Sequence, residues 1–171
     1  MNAYTPNIST SFVPGAENTR QLRAAFGRFA TGVTIVTATS PDGPVGITAN
    51  SFSSVSLDPP LVLWAPGKSS RRFVYFEAAE HYAVHVLAAD QLELCTTFSK
   101  NAFALGAMTH VVNEFGVPLI QNCLARFECR RIACHEGGDH VIVLGEVHRA
   151  EMREGDALTF FAGNFGKTAQ A

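Results

Sequence analysis

The chain has 171 residues, of which 47% are hydrophobic and 16% are charged, and its formal net charge is −2. This length and apolar content suffice for one domain with a substantial core. The sequence has no basic stripe, which argues against nucleic acid as a partner. It also has no apolar run of about 18 residues and no signal-peptide pattern, so we expect a cytoplasmic protein without membrane contact.

The cysteines do not have the spacing of a metal site. They are Cys95, Cys123, Cys129 and Cys134, and no two of them form the tight pair that zinc sites use. His135 follows Cys134 directly, but no second pair accompanies these two residues. We therefore expect reduced, structural thiols and no bound metal.

The first predicted elements are an irregular arm and an amphipathic helix. Residues 1–18 contain Pro, Ser, Thr and Asn without periodicity, which predicts a flexible arm before a domain that spans 19–171. Within 19–29, three apolar residues recur at helical spacing, and they are Leu22, Phe26 and Phe29. This pattern is typical of a helix whose apolar face packs into the core.

Most of the remaining chain is predicted to form strands joined by turns. Runs of β-branched or alternating residues predict strands at 32–39, 45–56, 61–64, 81–87, 125–135, 140–152 and 157–161. Helices are expected at 70–80 and 90–98, with Asp90 as the N-cap of the second, and 99–122 is expected to be mainly loop. The hairpin links favour an antiparallel barrel with outer helices over a Rossmann domain.

The stretch 46–70 carries the clearest indication of a ligand site. Hydroxyl and amide side chains mix with apolar ones over 48–56, as in a strand that packs on a core and faces a polar ligand. A cation and two hydroxyls are then predicted at a helix start, where they form a phosphate cradle, and they are Lys68, Ser69 and Ser70. Val62 stands where a P-loop requires glycine, which excludes a nucleotide hydrolase.

The same residues allow simpler interpretations. The polar run also fits a solvated strand face, and Lys68 also fits an ordinary surface lysine. No G-x-S-x-G nucleophile elbow and no spaced pair of carboxylates is present. His140 begins a predicted strand, and strand alternation would direct the neighbouring Asp139 to the opposite face. The residues therefore favour a bound phosphorylated cofactor over a self-contained catalytic triad.

Several motifs in one order resemble the short-chain flavin reductases of two-component monooxygenases. They are 29–37 (FATGVTIVT), 46–63, Gly138-Asp139-His140, Gly145-Glu146-Val147 and 160–165 (FFAGNF). The resemblance extends over about 21–165. It implies a mainly β fold with peripheral helices, the FMN-binding split barrel, whose six antiparallel strands follow a Greek key. It also implies a homodimer with the flavin near the subunit interface.

The resemblance implies an NAD(P)H:flavin oxidoreductase. Such an enzyme passes hydride from NADH or NADPH to FMN or FAD and supplies reduced flavin to a flavin-dependent oxygenase component. Since the flavin carries the redox chemistry, the protein need supply only binding, geometry and electrostatics. Two alternatives stay open, a flavin carrier without nicotinamide oxidation and a flavin-dependent reductase with another acceptor, such as ferric iron.

Carried over by position, the resemblance implies cofactor contacts and no catalytic side chain. The flavin ring is expected against Thr48, Ala49, Asn50 and Ser51, with Trp64 and Ala65 beside the ring or the ribityl chain. The phosphate is expected at Lys68, Ser69, Ser70 and Arg71, and the flavin pocket is expected to close with Phe98 and Lys100. The nicotinamide is expected near His140 and Phe165. Phe165 replaces the usual tyrosine, and the segment 99–103 is shorter than usual and lacks an acidic residue.

Overall fold

The computed structural model describes residues 9–169, which form a mainly β protein with short helices. The helices are α1 (Thr19–Phe26), α2 (Phe73–Ala78) and α3 (Leu92–Lys100), and 3₁₀ turns lie at Ala16–Asn18, Ala89–Gln91 and Ala104–Ala107. The strands are β1 (Thr31–Gly32), β2 (Thr34–Ser40), β3 (Gly43–Ala49), β4 (Ser53–Leu57), β5 (Pro60–Trp64), β6 (His81–Val86), β7 (Val111–Val112), β8 (Pro118–Leu119), β9 (Ala125–Gly137), β10 (His140–Met152), β11 (Leu158–Phe161) and β12 (Asn164–Lys167). Of the predicted arm, 1–8 lies outside the described residues.

The main sheet has seven antiparallel strands in the order β3-β2-β6-β9-β10-β5-β4. Its two edge strands, β3 and β4, are consecutive in the chain and are joined by 50–52 alone. A link of this length spans at most about 15 Å, so the sheet must curl until its edges approach each other. Among the described strands no hydrogen-bonded pairing closes this gap, and the sheet is therefore open at the 50–52 link.

The concave face of the sheet is filled by aromatic and β-branched side chains. Trp64 on β5 packs edge-to-face on Phe76 of α2 and lies 5.9 Å, between ring centroids, from Tyr82 on β6. A second cluster lies under α3 and includes Ile35, Leu87 and Phe98, each 0% exposed. The ends of β2 and β3 thus lie between two packed regions, which holds the 50–52 link in place.

The apolar stripe at the start of the chain does not pack into the core, so that prediction is wrong. Phe26 is 69% exposed and Phe29 is 77% exposed, and α1 has no buried residue. The periodicity identified an apolar face correctly, but it carries no information about what covers that face. The helix also ends at Phe26, because Gly27 follows as its C-cap.

Several predicted boundaries shift in the structure. The polar strand 45–56 is divided into β3 and β4 by the link 50–52, and α2 begins at Phe73 and not at residue 70. Asp90 does not cap α3, because it lies within a 3₁₀ turn where Gln91 Oε1 accepts the Ala88 N–H at 3.0 Å. Two short pairings were not predicted, namely β7 with β8 and β11 with β12.

The remaining sequence predictions concern membrane helices and thiols. No helix within residues 9–169 has the length and apolar character needed to cross a bilayer. The four cysteines are free, with Cys95 and Cys129 buried and Cys134 exposed. Burial raises the pKa of the Cys129 thiol to about 12, which keeps it protonated and unreactive.

Candidate functional site

Two adjoining cavities lie where β3 ends and the 50–52 link begins. The larger, of about 360 Å³, is bounded by Thr48, Ala49 and Asn50, by one face of α3 and by two aromatic residues, Phe160 and Phe165. The smaller, of about 170 Å³, shares Thr48, Ala49 and Asn50 and extends along Ser51, Trp64, Ala65 and Gly67 to His140. Seven of the residues predicted around the flavin ring and nicotinamide therefore meet at these cavities, and Phe165 joins them as the eighth.

The link between the sheet edges is fixed to the end of β5. The Ser51 hydroxyl accepts the Ala65 N–H at 2.9 Å and donates to the Ala65 carbonyl at 3.2 Å. Trp64, the residue before Ala65, is only 1% exposed and belongs to the core. Ser51 and Ala65 thus shape the wall of the smaller cavity, whereas Trp64 supports that wall from behind and offers no free ring face.

The turn between β9 and β10 carries His140 to the smaller cavity. The Lys68 N–H donates to the Asp139 carbonyl at 2.9 Å, and the Val141 N–H donates to the Pro66 carbonyl at 3.1 Å. These bonds pair the two segments, so that Gly67 lies opposite His140. The two glycine-containing segments are far apart in the chain, and their pairing unites the predicted phosphate and nicotinamide regions.

His140 is paired with the residue before it. Asp139 Oδ1 lies 2.7 Å from His140 Nδ1, and this contact lowers the pKa of the Asp139 carboxyl from its usual value. The expectation that Asp139 points away from His140 is therefore wrong. Strand alternation does not apply to it, because Gly138 and Asp139 form the turn itself and β10 begins only at His140.

Lys68 lies in the loop before α2, together with the other predicted phosphate ligands. Its ammonium group contacts the Glu136 carboxylate and donates to the Gly138 carbonyl at 2.8 Å. Ser69 and Arg71 are exposed, and the Ser70 hydroxyl accepts the Arg72 N–H at 3.2 Å. Because α2 starts three residues after Ser70, the predicted cradle at a helix N-terminus is wrong, and any phosphate there meets loop atoms and side chains.

Comparison with known proteins decides the family. The flavin reductase like domain matches residues 26–169, which is most of the chain. The chain belongs to the flavin reductase like family. The resemblance seen in the sequence is thereby confirmed.

Individual members of the family are similar over nearly the whole chain. FMN reductase (NADH) SmoA of Agrobacterium fabrum is 57% identical over 156 residues, covering 91% of this chain and 90% of that protein. The reductase subunit HsaB of the flavin-dependent monooxygenase of Rhodococcus jostii is 36% identical over 148 residues, covering 85% and 76%. The structure of the NADH:FAD oxidoreductase SgcE6 of Streptomyces globisporus superimposes with a TM-score of 0.86 at 37% identity, covering 95% of this chain and 99% of that one.

The cavities of this flavin reductase like chain fit a flavin. Small-molecule sites usually measure about 300–1,000 Å³ and combine apolar walls with a few polar groups. The larger cavity, of about 360 Å³, falls in this range, and the smaller one extends it. Val33, Ala49 and Phe160 supply apolar surface for a flat ring, while Thr48 and Asn50 supply a hydroxyl and an amide at its edge. The chemistry of the lining therefore suits the isoalloxazine, which is apolar on its faces and polar along one side.

Two residues predicted to close the pocket lie elsewhere. Phe98 is 0% exposed, and its ring packs so closely on β3 that a Cβ on Gly46 would overlap it. Lys100 is exposed at the C-terminal end of α3 and borders neither cavity. In the structure the neighbouring α3 residues form the cavity wall, and these are Cys95, Thr96 and Ser99.

Sequence analysis also missed Arg72. Its guanidinium donates to the carbonyl oxygens of Gly46 at 3.4 Å and Ser99 at 3.1 Å, and it contacts that of Phe98. Arg72 thus connects the Lys68 loop to β3 and to the end of α3. Burial, assisted by the charge of Arg71, lowers its pKa. Arg71 and Arg72 are adjacent in the sequence, which does not show which of the two turns inward.

Proposed function

We propose that this protein is an NAD(P)H:flavin oxidoreductase that reduces FMN or FAD and supplies the reduced flavin to a monooxygenase component. The observation that carries the proposal is the joining of two cavities at Thr48–Asn50, with Phe160 and Phe165 at one and His140 at the other. Relatives named as NADH-dependent flavin reductases and as monooxygenase reductase subunits support it.

The residues divide the binding task. Thr48, Ala49, Asn50 and Ser51 hold the polar edge of the ring, and Lys68 with its neighbouring hydroxyls meets the phosphate. His140 and Phe165 border the nicotinamide, and Phe165 also shields the ring from water. When bound, the flavin accepts a hydride from the reduced nicotinamide and carries it to the oxygenase. The protein therefore needs no catalytic acid or base of its own.

We further propose that the functional form is a cytoplasmic homodimer and that six of the seven strands of the main sheet form a Greek-key split barrel. The exposed Phe26 of α1 and Phe29 just after it support the dimer, because a helix of eight residues with no buried side chain gains little stability alone. The α1 segment also lies near the larger cavity. The Ala162 N–H donates to the Gly27 carbonyl at 2.8 Å, which brings Phe161 and Phe165 beside the end of the helix.

The test is to follow the absorbance of NADH and of NADPH after adding FMN, FAD or no flavin to the purified protein. We expect fast oxidation of NADH that depends on added flavin. Flavin binding without oxidation of either nucleotide would instead establish the carrier. Oxidation that requires ferric iron in addition to flavin would identify iron as the acceptor. Repeating the assay with a flavin-dependent oxygenase, with hydroxylated product as the readout, tests the transfer of reduced flavin.

A further inference from the structure

The β9–β10 hairpin that presents His140 also supplies an anion to Lys68. The Lys68 ammonium contacts the carboxylate of Glu136, the next-to-last residue of β9, and donates to the Gly138 carbonyl at 2.8 Å. The backbones on both sides are fixed by the bonds from Lys68 to Asp139 and from Val141 to Pro66. Any rearrangement at this point therefore involves the side chains of Lys68 and Glu136, while the backbone pairing is kept.

The two contacts of Lys68 differ in how easily they are exchanged. The Glu136 side chain is 82% exposed, whereas that of Lys68 is 35% exposed. A carboxylate at the surface can turn into water at little cost, because an exposed ion pair contributes little to stability. The Gly138 carbonyl belongs to the turn and stays in place. Loss of the Glu136 contact would thus leave the ammonium group anchored and its charge available.

No other carboxylate of the described residues takes the place of Glu136. The neighbouring Asp139 carboxylate is engaged by His140 Nδ1 at 2.7 Å, and its backbone carbonyl already accepts the Lys68 N–H. Glu136 is therefore the acid that neutralises Lys68. A phosphate and a carboxylate bind an ammonium group in the same way, through charge-assisted hydrogen bonds, so both compete for one cation.

We propose that Glu136 is an internal competitor of the flavin phosphate, which displaces it from Lys68 when the cofactor binds. The proposal rests on the proposed function, since it requires Lys68 to meet the phosphate. As a consequence, the affinity for phosphorylated flavin is lower than Lys68 would give without Glu136. For a protein that must release its reduced flavin to a separate oxygenase, this weakening favours exchange of the cofactor over its retention.

The test compares the binding of FMN with that of riboflavin, which has the same ring but no phosphate, using flavin fluorescence in the absence of nicotinamide. Glu136→Gln should tighten FMN binding about two- to five-fold, the size of an exposed ion pair, and leave riboflavin binding unchanged. Glu154→Gln is the matched control. It removes the same charge from an exposed residue outside both cavities, and it should change the binding of neither FMN nor riboflavin.

Lys68→Ala separates this proposal from the site assignment. It should weaken FMN binding about ten-fold or more, and in that background Glu136→Gln should have no further effect. Lys68→Ala could weaken FMN binding while Glu136→Gln leaves it unchanged or weakens it. In that case Glu136 is not a competitor, and the assignment of the phosphate to Lys68 is kept. If Lys68→Ala leaves FMN binding intact, the phosphate site and this proposal both fail. Absence of binding of FMN, FAD and riboflavin by the unmodified protein overturns the proposed function itself.

Discussion

The carboxylate of Asp139 lies 2.7 Å from Nδ1 of His140, so the ring nitrogen that remains for a ligand is Nε2. Nε2 lies 3.4 Å from the position that a Cβ on Gly67 would occupy, at the smaller cavity. We predict that His140→Ala raises the KM for NADH about three- to ten-fold, since one hydrogen bond is lost, and leaves the affinity for FMN unchanged. Steady-state kinetics and flavin fluorescence measure the two quantities.

The same relationship predicts a smaller effect of Asp139→Asn, which keeps a side chain beside Nδ1 but removes its charge. The KM for NADH should lie between those of the unmodified protein and His140→Ala. His135→Ala is the control, because His135 is exposed on β9 and borders neither cavity. An unchanged KM in His140→Ala, or a loss of FMN binding that accompanies it, would contradict the assignment of His140 to the nicotinamide.

Gly145 and Tyr82 provide a prediction about stability. A Cβ at Gly145 on β10 would overlap the buried hydroxyl of Tyr82, which has no hydrogen-bond partner within the described residues. Gly145→Ala should therefore cost about 1–3 kcal/mol through overpacking. For a chain of this size, each kcal/mol lowers the melting temperature by roughly 2–4 °C. Thermal unfolding followed by circular dichroism measures this change.

Tyr82→Phe supplies the matched test of that mechanism. Removing the hydroxyl relieves the tightest overlap, so adding Tyr82→Phe to Gly145→Ala should recover part of the lost stability. In the otherwise unmodified protein, Tyr82→Phe should change the stability little. Gly106→Ala serves as a control, since an added Cβ there meets no atom within 4 Å. If the effects of Gly145→Ala and Tyr82→Phe simply add, the hydroxyl is not the cause of the destabilisation.

His85 makes the stability depend on pH. Its Nδ1 donates to the Ile35 carbonyl at 3.0 Å, its Nε2 accepts the Ile120 N–H at 3.1 Å, and burial lowers its pKa to about 4. The unfolded chain, with an ordinary histidine pKa of about 6.5, therefore binds the proton first as the pH falls. The stability that this pKa difference gives to the folded state is fully present above pH ~6.5. It declines by about 1.4 kcal/mol per pH unit as the pH falls from there to pH ~4.

The measurement is urea unfolding between pH 4.5 and pH 8, which covers most of the window from pH ~4 to pH ~6.5 in which the folded and unfolded states differ in protonation, together with the plateau above it. His85→Gln should be less stable at neutral pH but should lose less stability on acidification than the unmodified protein. His135→Gln removes an exposed histidine and should reproduce the unmodified pH dependence. Equal slopes for His85→Gln and the unmodified protein would show that His85 is not responsible.

The sequence allowed most strands to be predicted, because alternation and β-branched runs are local signals, whereas half of the residues that line the two cavities were expected only from the family resemblance. The β9–β10 hairpin appears as expected, and the motif residues around Thr48 and His140 meet although more than half the chain separates them. The position of Phe98 and the inward turn of Arg72 depend on which face of α3 packs on β3. Such packing is decided by tertiary contacts, here by the absence of a side chain at Gly46, and no local pattern reports it.

The helical spacing predicts that the apolar face of α1 packs into the core, but in the structure this face is exposed. We therefore predict that a second copy of the chain covers it in a dimer. The bond between Gly27 and Ala162 joins the segment of Phe26 and Phe29 to the segment of Phe161 and Phe165, and all four residues are at least 45% exposed. We expect the unmodified protein to sediment at twice the 18.4 kDa of one chain. Burying a phenylalanine contributes roughly 1.5–3 kcal/mol. In a twofold-symmetric dimer each substitution is present in both subunits, so its effect on the interface is doubled.

Phe29→Ser should therefore weaken dimerisation about 100-fold or more, which analytical ultracentrifugation over a range of concentrations detects. FMN binding should weaken with it, since Phe165 belongs both to this surface and to the larger cavity. Met152→Ser is the control, because Met152 is 87% exposed at the far end of β10 and should not alter assembly. A dimer that survives Phe29→Ser with unchanged affinity would place the interface on another face, and the exposed edge strand β4, with Leu57 96% exposed, would be the next surface to substitute.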